Sequence, residues 1–408
     1  MSDNVSTAAA GPDWSRGVAP AQRQVQLDVL RGLAVLGILV MNIQAFSMPI
    51  AAYTNPTVWG DLTGVNYAVW LLGHLLADQK FMALFSVLFG AGIVLFAERA
   101  QAGGHSPTAL HYRRMFWLLL AGLAHAYLLW FGDILVLYAV CGALVFWMRR
   151  WSFVALMTTG LLLLSVSSAI YLFFGLSLPH WPEAQVAAMT DESWQPTAEV
   201  LAREVAAYRG GWLEQMEQRV PTVVMFQTFV LAIWGFWRAA GMMLIGMALY
   251  KSGILGGERP TRIYLGFIAV AALAGVPLVA YGVYWNTGNE WAISSMFLGT
   301  QFNYWGSVLV MLGWIGGFSL IYQRGLMRGL TARLAAVGRM AFTNYLMQTV
   351  ICVSLFYGHG LGWYGGIERS GQILVVFAIW ALQLWYSPLW LSRFRQGPLE
   401  GLWRRLTY

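Results

Sequence analysis

Charge is scarce in this sequence. Asp, Glu, Lys and Arg make up 11% of its 408 residues, against about a quarter in soluble chains, which excludes an ordinary water-exposed globular surface. Cysteine is scarcer still. Its two copies, Cys141 and Cys352, both fall inside apolar runs, so a structural disulfide is not expected. Metal-ligand spacing, a Gly-rich phosphate loop, a nucleophile elbow and repeats of roughly 20–50 residues are all absent. Residues 1–25 are polar, without the apolar centre of a signal peptide, and are read as a flexible cytoplasmic tail.

What is present in excess is apolar and aromatic. Hydrophobic residues reach 58%, with 21 Trp, 18 Tyr and 22 Phe, types that favour bundle interiors and membrane interfaces. A helix needs roughly 20 apolar residues to cross hydrocarbon. On that measure the chain holds ten crossings, about 27–48, 79–98, 114–131, 133–149, 152–177, 222–250, 262–285, 296–322, 334–357 and 370–391. The third and fourth are parted only by Gly132–Asp133, which predicts a tight antiparallel hairpin, and the sixth is long enough to tilt or break at Gly235. The fold class expected is an all-α polytopic membrane bundle. Its membrane domain spans 26–392, with an outer insertion at about 178–220 and a basic cytoplasmic segment at 393–408.

Basic residues orient the bundle. Arg16, Arg23, Arg31, Arg99, Arg113, Arg114, Arg149, Arg150, Lys251, Arg259, Arg324, Arg328, Arg393 and Arg404 fall on one side of an even-numbered set. Both termini are therefore expected in the cytoplasm. The opposite loops carry Asp61, Glu183, Asp191, Glu204, Glu214 and Glu290, and the net charge of +7 is mostly a topology signal. A nucleic-acid partner is not needed to explain it. Trp181, Trp194 and Trp212 among the acids of 178–220 suggest short amphipathic helices along the outer surface.

Polar groups within crossings are costly and mark pathways or sites. The first crossing, LDVLRGLAVLGILVMNI over 27–43, opens with Asp28 and Arg31, three apart on one helical face, and carries Asn42 near its far end. His125 lies twelve residues beyond Arg113, or roughly 18 Å along a helix at 1.5 Å per residue, past the midplane. Asp133 sits at the outer hairpin. Asn344 and Gln348, four apart, share a face. Lys80 starts the second crossing on the outer side, just after Asp78, and His74 lies in the preceding outer segment. Toward the cytoplasm lie Arg339, just inside the ninth crossing, and Arg238, deep in the inner half of the sixth. An outer-to-central set of His, Asp, Asn and Gln thus stands above an inner set of arginines. Such layering suits a molecule whose anionic part enters from the cytoplasm while its other end reaches outward.

Several segments carry a family resemblance. These are LDVLRGLAVLGILVMNI at the start, KFMALFSVLFGAGIVL at 80–95, GLAHAYLLWFGDILVLYAVCG at 122–142, AGMMLIGMALYKSGIL at 240–255, GRMAFTNYLMQTVICVSLFYG at 338–358 and FRQGPLEGLWR at 394–404. Through nearly its whole length the sequence resembles the YeiB-type family of bacterial inner-membrane proteins, which implies a multi-pass protein of the inner membrane. The opening run is also similar to the first helix of the wider transmembrane acyltransferase group, including heparan-α-glucosaminide N-acetyltransferase and the O-antigen acetyltransferases. That similarity implies transfer of an acyl group, typically from acetyl-CoA, to a hydroxyl or amine presented outside. One departure is plain: O-antigen-type enzymes carry a His late in this helix, where this chain has Asn42.

The roles expected follow from residue chemistry. His125 is the first choice for general base or acyl relay, since imidazole titrates near neutrality, and Asp133 would orient it. The plainer alternative is a structural histidine. Arg31, Arg238 and Arg339 would bind acyl-CoA phosphates through their guanidinium forks; alternatively Arg31 pairs with Asp28 at a helix end and Arg339 snorkels to headgroups. Asn42, Asn344 and Gln348 would position a carbonyl or stabilise an oxyanion, or else join helices. His74 is the rival to His125 and otherwise an interfacial residue; Lys80 and Asp78 are read as an interfacial ion pair, and acceptor positioning by His74 and Lys80 is the sharper alternative. His105, His111, His180 and His359 are expected at the surface. Gly90, Gly92, Gly241, Gly246, Gly316 and Gly317 would allow close helix packing, and GPLEGLWRRL would lie at the interface. The leading expectation is a membrane acyltransferase using cytoplasmic acyl-CoA, with no metal, membrane lipids around it and an unidentified outer acceptor. The alternatives are a carrier of a small or lipid-linked molecule through the polar core, and a non-catalytic lipid, quinone or haem binder. Oligomeric state is open, a homo-oligomer included.

Overall fold

The structure is a computed structural model and describes residues 24–408. Of the expected tail, 1–25, only Gln24 and Val25 fall within it; the rest, with Arg16 and Arg23, lies outside the described residues. Those described residues form helices and connecting turns without a strand. The chain begins with α1 (Val25–Ser47), followed by the short α2 (Ala51–Thr54) and α3 (Gly64–Leu76) and then α4 (Lys80–Ala102). Next come α5 (Pro107–Leu128), α6 (Leu135–Val145) and α7 (Phe153–Ser177). The insertion contributes α8 (Glu183–Met189), α9 (Ala198–Arg209) and the start of α10 (Glu214–Met225). A π-wound stretch, Phe226–Gly235, joins α10 to α11 (Phe236–Lys251), and another, Ala271–Gly275, joins α12 (Thr261–Val270) to α13 (Val276–Gly288). The chain ends with α14 (Thr300–Gln323), α15 (Arg328–Arg339), α16 (Ala341–Phe356), α17 (Arg369–Arg393) and α18 (Pro398–Thr407).

Among the described residues, seven helical segments are long and apolar enough to cross a membrane: Val25–Ser47, Gly64–Ala102, Phe153–His180, Glu214–Lys251, Thr261–Gly288, Ser295–Gln323 and Arg369–Arg393. They match seven of the ten expected crossings. The other three differ for physical reasons. α5 has the length, but His111, Arg113, Arg114 and His125 dilute its hydropathy. α6 is only 11 residues long. The ninth segment is broken at Met340, leaving α15 and a 16-residue α16. All three still expose apolar side chains, among them Phe116, Leu120, Leu144 and Val350. Gly235 closes the π-wound stretch in the sixth segment, so that helix changes its winding there without breaking.

Helices without a hydrophobic drive between them associate where small residues let backbones approach. A Cβ on Gly32 would sit 2.0 Å from the Leu334 carbonyl oxygen and one on Gly338 1.9 Å from that of Asp28, so α15 lies directly along α1. Gly90 and Gly246 do the same for α4 and α11, against the carbonyls of Met243 and Val87. Around these crossings Leu84, Val87, Ala91, Met242 and Ile245 form the core. A second core joins α5 and α6 to α11 through Met115, Leu118, Tyr138, Met243 and Met247. Outward faces stay apolar: Phe173, Leu176, Leu273 and Trp385 are exposed, as side chains meeting lipid would be. This is a membrane protein.

The insertion forms short helices, and buried polar groups pin it down. Glu204 accepts from the Ile50 N–H and from the Tyr364 hydroxyl, both at 2.9 Å. Arg219, wholly buried, donates to the Leu128 carbonyl (2.9 Å) and to Gln215 Oε1 (2.7 Å). Trp194 donates its indole N–H to the Trp291 carbonyl at 2.7 Å. Buried polar groups need such partners, so this cap is a built part of the molecule. Cys141 and Cys352 are buried free thiols.

Candidate functional site

The turn between α5 and α6 is wider than the two residues expected, because the N–H groups of Leu129 and Trp130 both return to the His125 carbonyl and the chain stays irregular to Ile134. That turn brings the end of α5 against the start of α6. Asp133 Oδ1 accepts from the Val136 N–H (2.8 Å) in the first turn of α6, where backbone N–H groups and the helix dipole favour a carboxylate. Its other oxygen, Oδ2, lies 2.7 Å from His125 Nδ1. The side chains are 1% and 2% exposed, so the pair is sealed from solvent. A carboxylate only accepts, so Nδ1 carries the imidazole proton and Nε2 is the basic nitrogen. Thr349 Oγ1 on α16 stands 2.9 Å from Nε2 and donates to it. The Tyr345 ring, one turn earlier on α16, lies 5.3 Å from the imidazole, and the Trp130 ring lies 6.3 Å away. An acid, a base and a hydroxyl in line form the geometry of a proton relay. Thr349 was absent from the sequence reading, which followed the amide face of α16 and not the face one residue on, where Tyr345 and Thr349 sit.

Beside this relay is a cavity of about 330 Å³. Six arginines, Arg31, Arg99, Arg114, Arg339, Arg395 and Arg404, line it against two carboxylates, Asp28 and Glu400. The rest of the wall is apolar and aromatic, with Phe85, Leu88, Phe89, Ile93 and Phe342, and it reaches Ile134, Tyr138 and Tyr345. Ile134 follows Asp133 in the chain and donates its N–H to the Tyr345 hydroxyl at 3.4 Å. Tyr345 thus touches both, lining the cavity and standing against the imidazole. Gly92 opens the wall: a Cβ built there meets nothing within 4 Å.

The C-terminal segment, expected at the interface, lines the cavity through Glu400, Trp403, Arg404 and Tyr408. Trp403 donates to the Arg114 carbonyl (3.1 Å), and the Arg114 guanidinium is held 4.2 Å from the Phe96 ring centre and 4.6 Å from that of Trp403. Glu400 accepts from the N–H groups of Phe342 (2.7 Å) and Thr343 (3.0 Å) and from the Thr343 hydroxyl (2.6 Å). It therefore caps the start of α16, the helix that carries Tyr345 and Thr349. Burial raises the Glu400 carboxyl above its ordinary value despite these donors.

The other expected residues sort by location. Asp28 and Arg31 pair at 2.8 Å on the cavity wall, and Arg339 lines it while donating to the Arg395 carbonyl at 3.1 Å. Arg238 is a correction. It is 1% exposed, donates to the Tyr304 carbonyl (2.7 Å) and to Ser307, and lines no part of the cavity, because α11 turns that face toward α14. Asn344 binds the Val337 carbonyl, Ser387 and Tyr386, while Gln348 binds the Val35 carbonyl and Gln383. Both amides therefore join α16 to α17, with Gln348 also reaching α1, outside the cavity wall. Asn42 is half-buried on α1 and does not line the cavity either. His74 and Lys80 belong to a second cluster. His74 Nδ1 lies 3.2 Å from Asp78 Oδ2, Asn303 donates to that oxygen at 2.8 Å, and Lys80 donates to the His74 carbonyl and to Asn303. His111, expected at the surface, is buried, bonded to the Gly142 carbonyl at 3.0 Å and stacked on Phe146. Among the described residues no three His, Cys, Asp or Glu side chains are grouped to hold a metal.

Comparison with known proteins places the chain in a family. Residues 249–408 match the family model described as "Protein of unknown function (DUF418)". The chain is 35% identical over 391 residues to "Uncharacterized protein YeiB" of Escherichia coli (strain K12), covering 95% of this chain and 96% of that one. It is 32% identical over 399 residues to "Uncharacterized protein YxaH" of Bacillus subtilis (strain 168), covering 94% and 93%. A protein of Bacillus acidopullulyticus, "Uncharacterized 39.9 kDa protein in amylase 3'region", is 26% identical over 392 residues, covering 96% and 95%. No solved structure matches. With such identity along almost the whole of both chains, this protein belongs to the YeiB-like family.

Proposed function

We propose that the protein is an acyltransferase of the bacterial inner membrane, taking an acyl group from cytoplasmic acyl-CoA and delivering it to a hydroxyl or amine at the outer side. In this reading ten passes place both termini in the cytoplasm and the arginine-lined end of the cavity faces the donor. One observation carries it: a cavity lined by six arginines and by apolar side chains shares Tyr345 with a buried Asp133–His125–Thr349 relay, the Tyr345 ring standing 5.3 Å from the imidazole. Guanidinium groups recognise phosphate by paired, charge-assisted hydrogen bonds. Apolar walls suit the narrow pantetheine arm and the acyl chain. Displacing Tyr345 would bring the thioester carbonyl to the relay.

There His125 Nε2 acts as the base that takes a proton from the attacking group, and Asp133 holds the Nδ1–H and stabilises the imidazolium that forms. Burial strengthens each of these interactions, because little water screens them. Arg31, Arg114 and Arg339 are assigned to the phosphates. Arg238 is withdrawn from that role, and Asn344 and Gln348 are assigned to holding α16 in place.

The test is acetyl-CoA binding and turnover by detergent-purified protein. Binding that weakens when Arg114 becomes Gln, and transfer that disappears in His125→Ala, are the expected results. The reading fails if no acyl-CoA binds and His125→Ala retains full cellular function. A lipid that copurifies in the cavity and excludes CoA would favour the carrier or binder reading in its place.

A further inference from the structure

His125 does not point its basic nitrogen at open space. Nε2 is met at 2.9 Å by the hydroxyl of Thr349, which is 1% exposed. Helical Ser and Thr commonly satisfy themselves by donating to the carbonyl four residues back, as Ser354 does on the same helix toward Val350 at 2.7 Å. Thr349 donates across to α5 instead. A hydroxyl held on an imidazole whose other nitrogen is gripped by a carboxylate is the arrangement of an activated nucleophile. The Trp130 ring, 6.3 Å from the imidazole, carries a buried indole N–H with no hydrogen-bond partner among the described residues. An unfilled buried donor on the wall of such a centre is available to a developing oxyanion. The floor of the cavity is near, since Tyr345, which lines it, precedes Thr349 by one helical turn.

We propose that Thr349 is the first acceptor of the acyl group, so that transfer passes through an acyl-threonine ester. This rests on the acyl-transfer reading above and deepens it. In the first half, Thr349 Oγ1 attacks the thioester carbonyl carbon while its proton passes to His125 Nε2. The Oγ1–C bond forms, the C–S bond breaks, and the imidazolium returns that proton to the departing sulfur, which leaves as free thiol. In the second half, the outer acceptor loses its proton to Nε2 and attacks the ester carbonyl. The Oγ1–C bond then breaks, and the proton returns to Thr349. Thioester and acceptor become acylated acceptor and thiol, with the protein unchanged. Such a relay lets a donor from one end and an acceptor from the other use the same buried centre in turn.

The experiment uses the full chain, purified in detergent and mixed with acetyl-CoA without an acceptor, then acid-quenched and mapped by peptide mass spectrometry. Thiol release is followed in parallel. The expected result is about one acetyl group per chain on Thr349, a matching burst of thiol, and the same label in Thr349→Ser. Thr349→Val should keep acetyl-CoA binding and lose both label and burst. Label on another residue, or no label on the wild type, overturns the proposal. Transfer to an acceptor that persists in Thr349→Val overturns it alone and leaves direct transfer through His125 standing. A wild type that neither binds acetyl-CoA nor releases thiol overturns it together with the acyl-transfer reading. Mapping the wild-type label keeps the proposal testable even if Thr349→Val folds poorly.

Discussion

Two His–Asp pairs stand in the helical bundle among the described residues, and they are built differently. His74 and Asp78 are four residues apart around the end of α3, 3.2 Å from each other, and each side chain is 20% exposed. The Asp78 carboxylate also accepts from the Tyr53 hydroxyl (3.0 Å) and from Asn303 (2.8 Å), and the His74 ring stacks on Trp70. The space beside them is about 20 Å³, room for roughly one water. His125, on α5, and Asp133, in the turn before α6, are almost wholly buried at 2.7 Å and adjoin a cavity of about 330 Å³. The first pair spends its carboxylate on tying the segment before α4 to α14. The second leaves a basic nitrogen on a hydroxyl. An intramembrane polar cluster is a functional candidate by default; what separates scaffold from site here is the atom on the far nitrogen and the volume nearby.

Breaking each pair in turn should separate them. His125→Ala should lower acyl transfer by about 10²- to 10⁴-fold, the usual worth of a positioned general base, while His74→Ala should leave the rate nearly unchanged. Equal losses in a transfer assay would erase the distinction. The cavity can be closed without touching either pair. Because a side chain at Gly92 meets no neighbour within 4 Å and faces that volume, Gly92→Trp should weaken acetyl-CoA binding by at least about tenfold, or roughly 1.4 kcal/mol. Gly317→Trp is the control, since it also meets nothing but lies away from the cavity. Asp78→Asn should act on stability instead, costing about 1–3 kcal/mol as one donor is left facing another. A thermal melt monitored by tryptophan fluorescence would detect it, and an unchanged midpoint would argue against a scaffold role.

The smallest effect concerns the C-terminal wall. Burial raises the Glu400 carboxyl, so the folded state binds a proton there more tightly than the unfolded chain. Linkage then makes its stabilising contribution full below the ordinary carboxylate range and lost as pH rises through the raised value. Amide exchange in α18 should accelerate across that window, and Glu400→Gln should flatten the dependence. A pH-independent exchange rate in the unsubstituted protein would contradict this.

Much of the frame was legible because hydrocarbon imposes length and apolarity on each crossing. The exceptions depart from that rule in length or polarity: α6 is short, α5 is polar and α15–α16 is broken at Met340. The His125–Asp133 pair could be foreseen because only one turn of chain separates its members. Asn344 and Gln348 were rightly placed on one face, but nothing local says that the face meets α17. Arg238, expected in the inner half, instead meets Tyr304 and Ser307 of α14 near Lys80 and Asp78, since the level and rotation of a helix are decided by packing. Thr349 stayed hidden for the same reason, its partner being 224 positions away. The C-terminal aromatics and arginines read as surface residues because their cavity exists only once α18 folds back beneath α16.

The central claim is that the arginine-lined cavity delivers a thioester to His125, and a cryo-electron microscopy map of the purified protein with a non-hydrolysable acetyl-CoA analogue tests it most directly. The account predicts phosphate density among Arg31, Arg114 and Arg339, with the acyl end displacing Tyr345 and reaching His125 and Thr349. A map with the cavity empty of nucleotide, or filled by a lipid that saturating analogue does not displace, would contradict it.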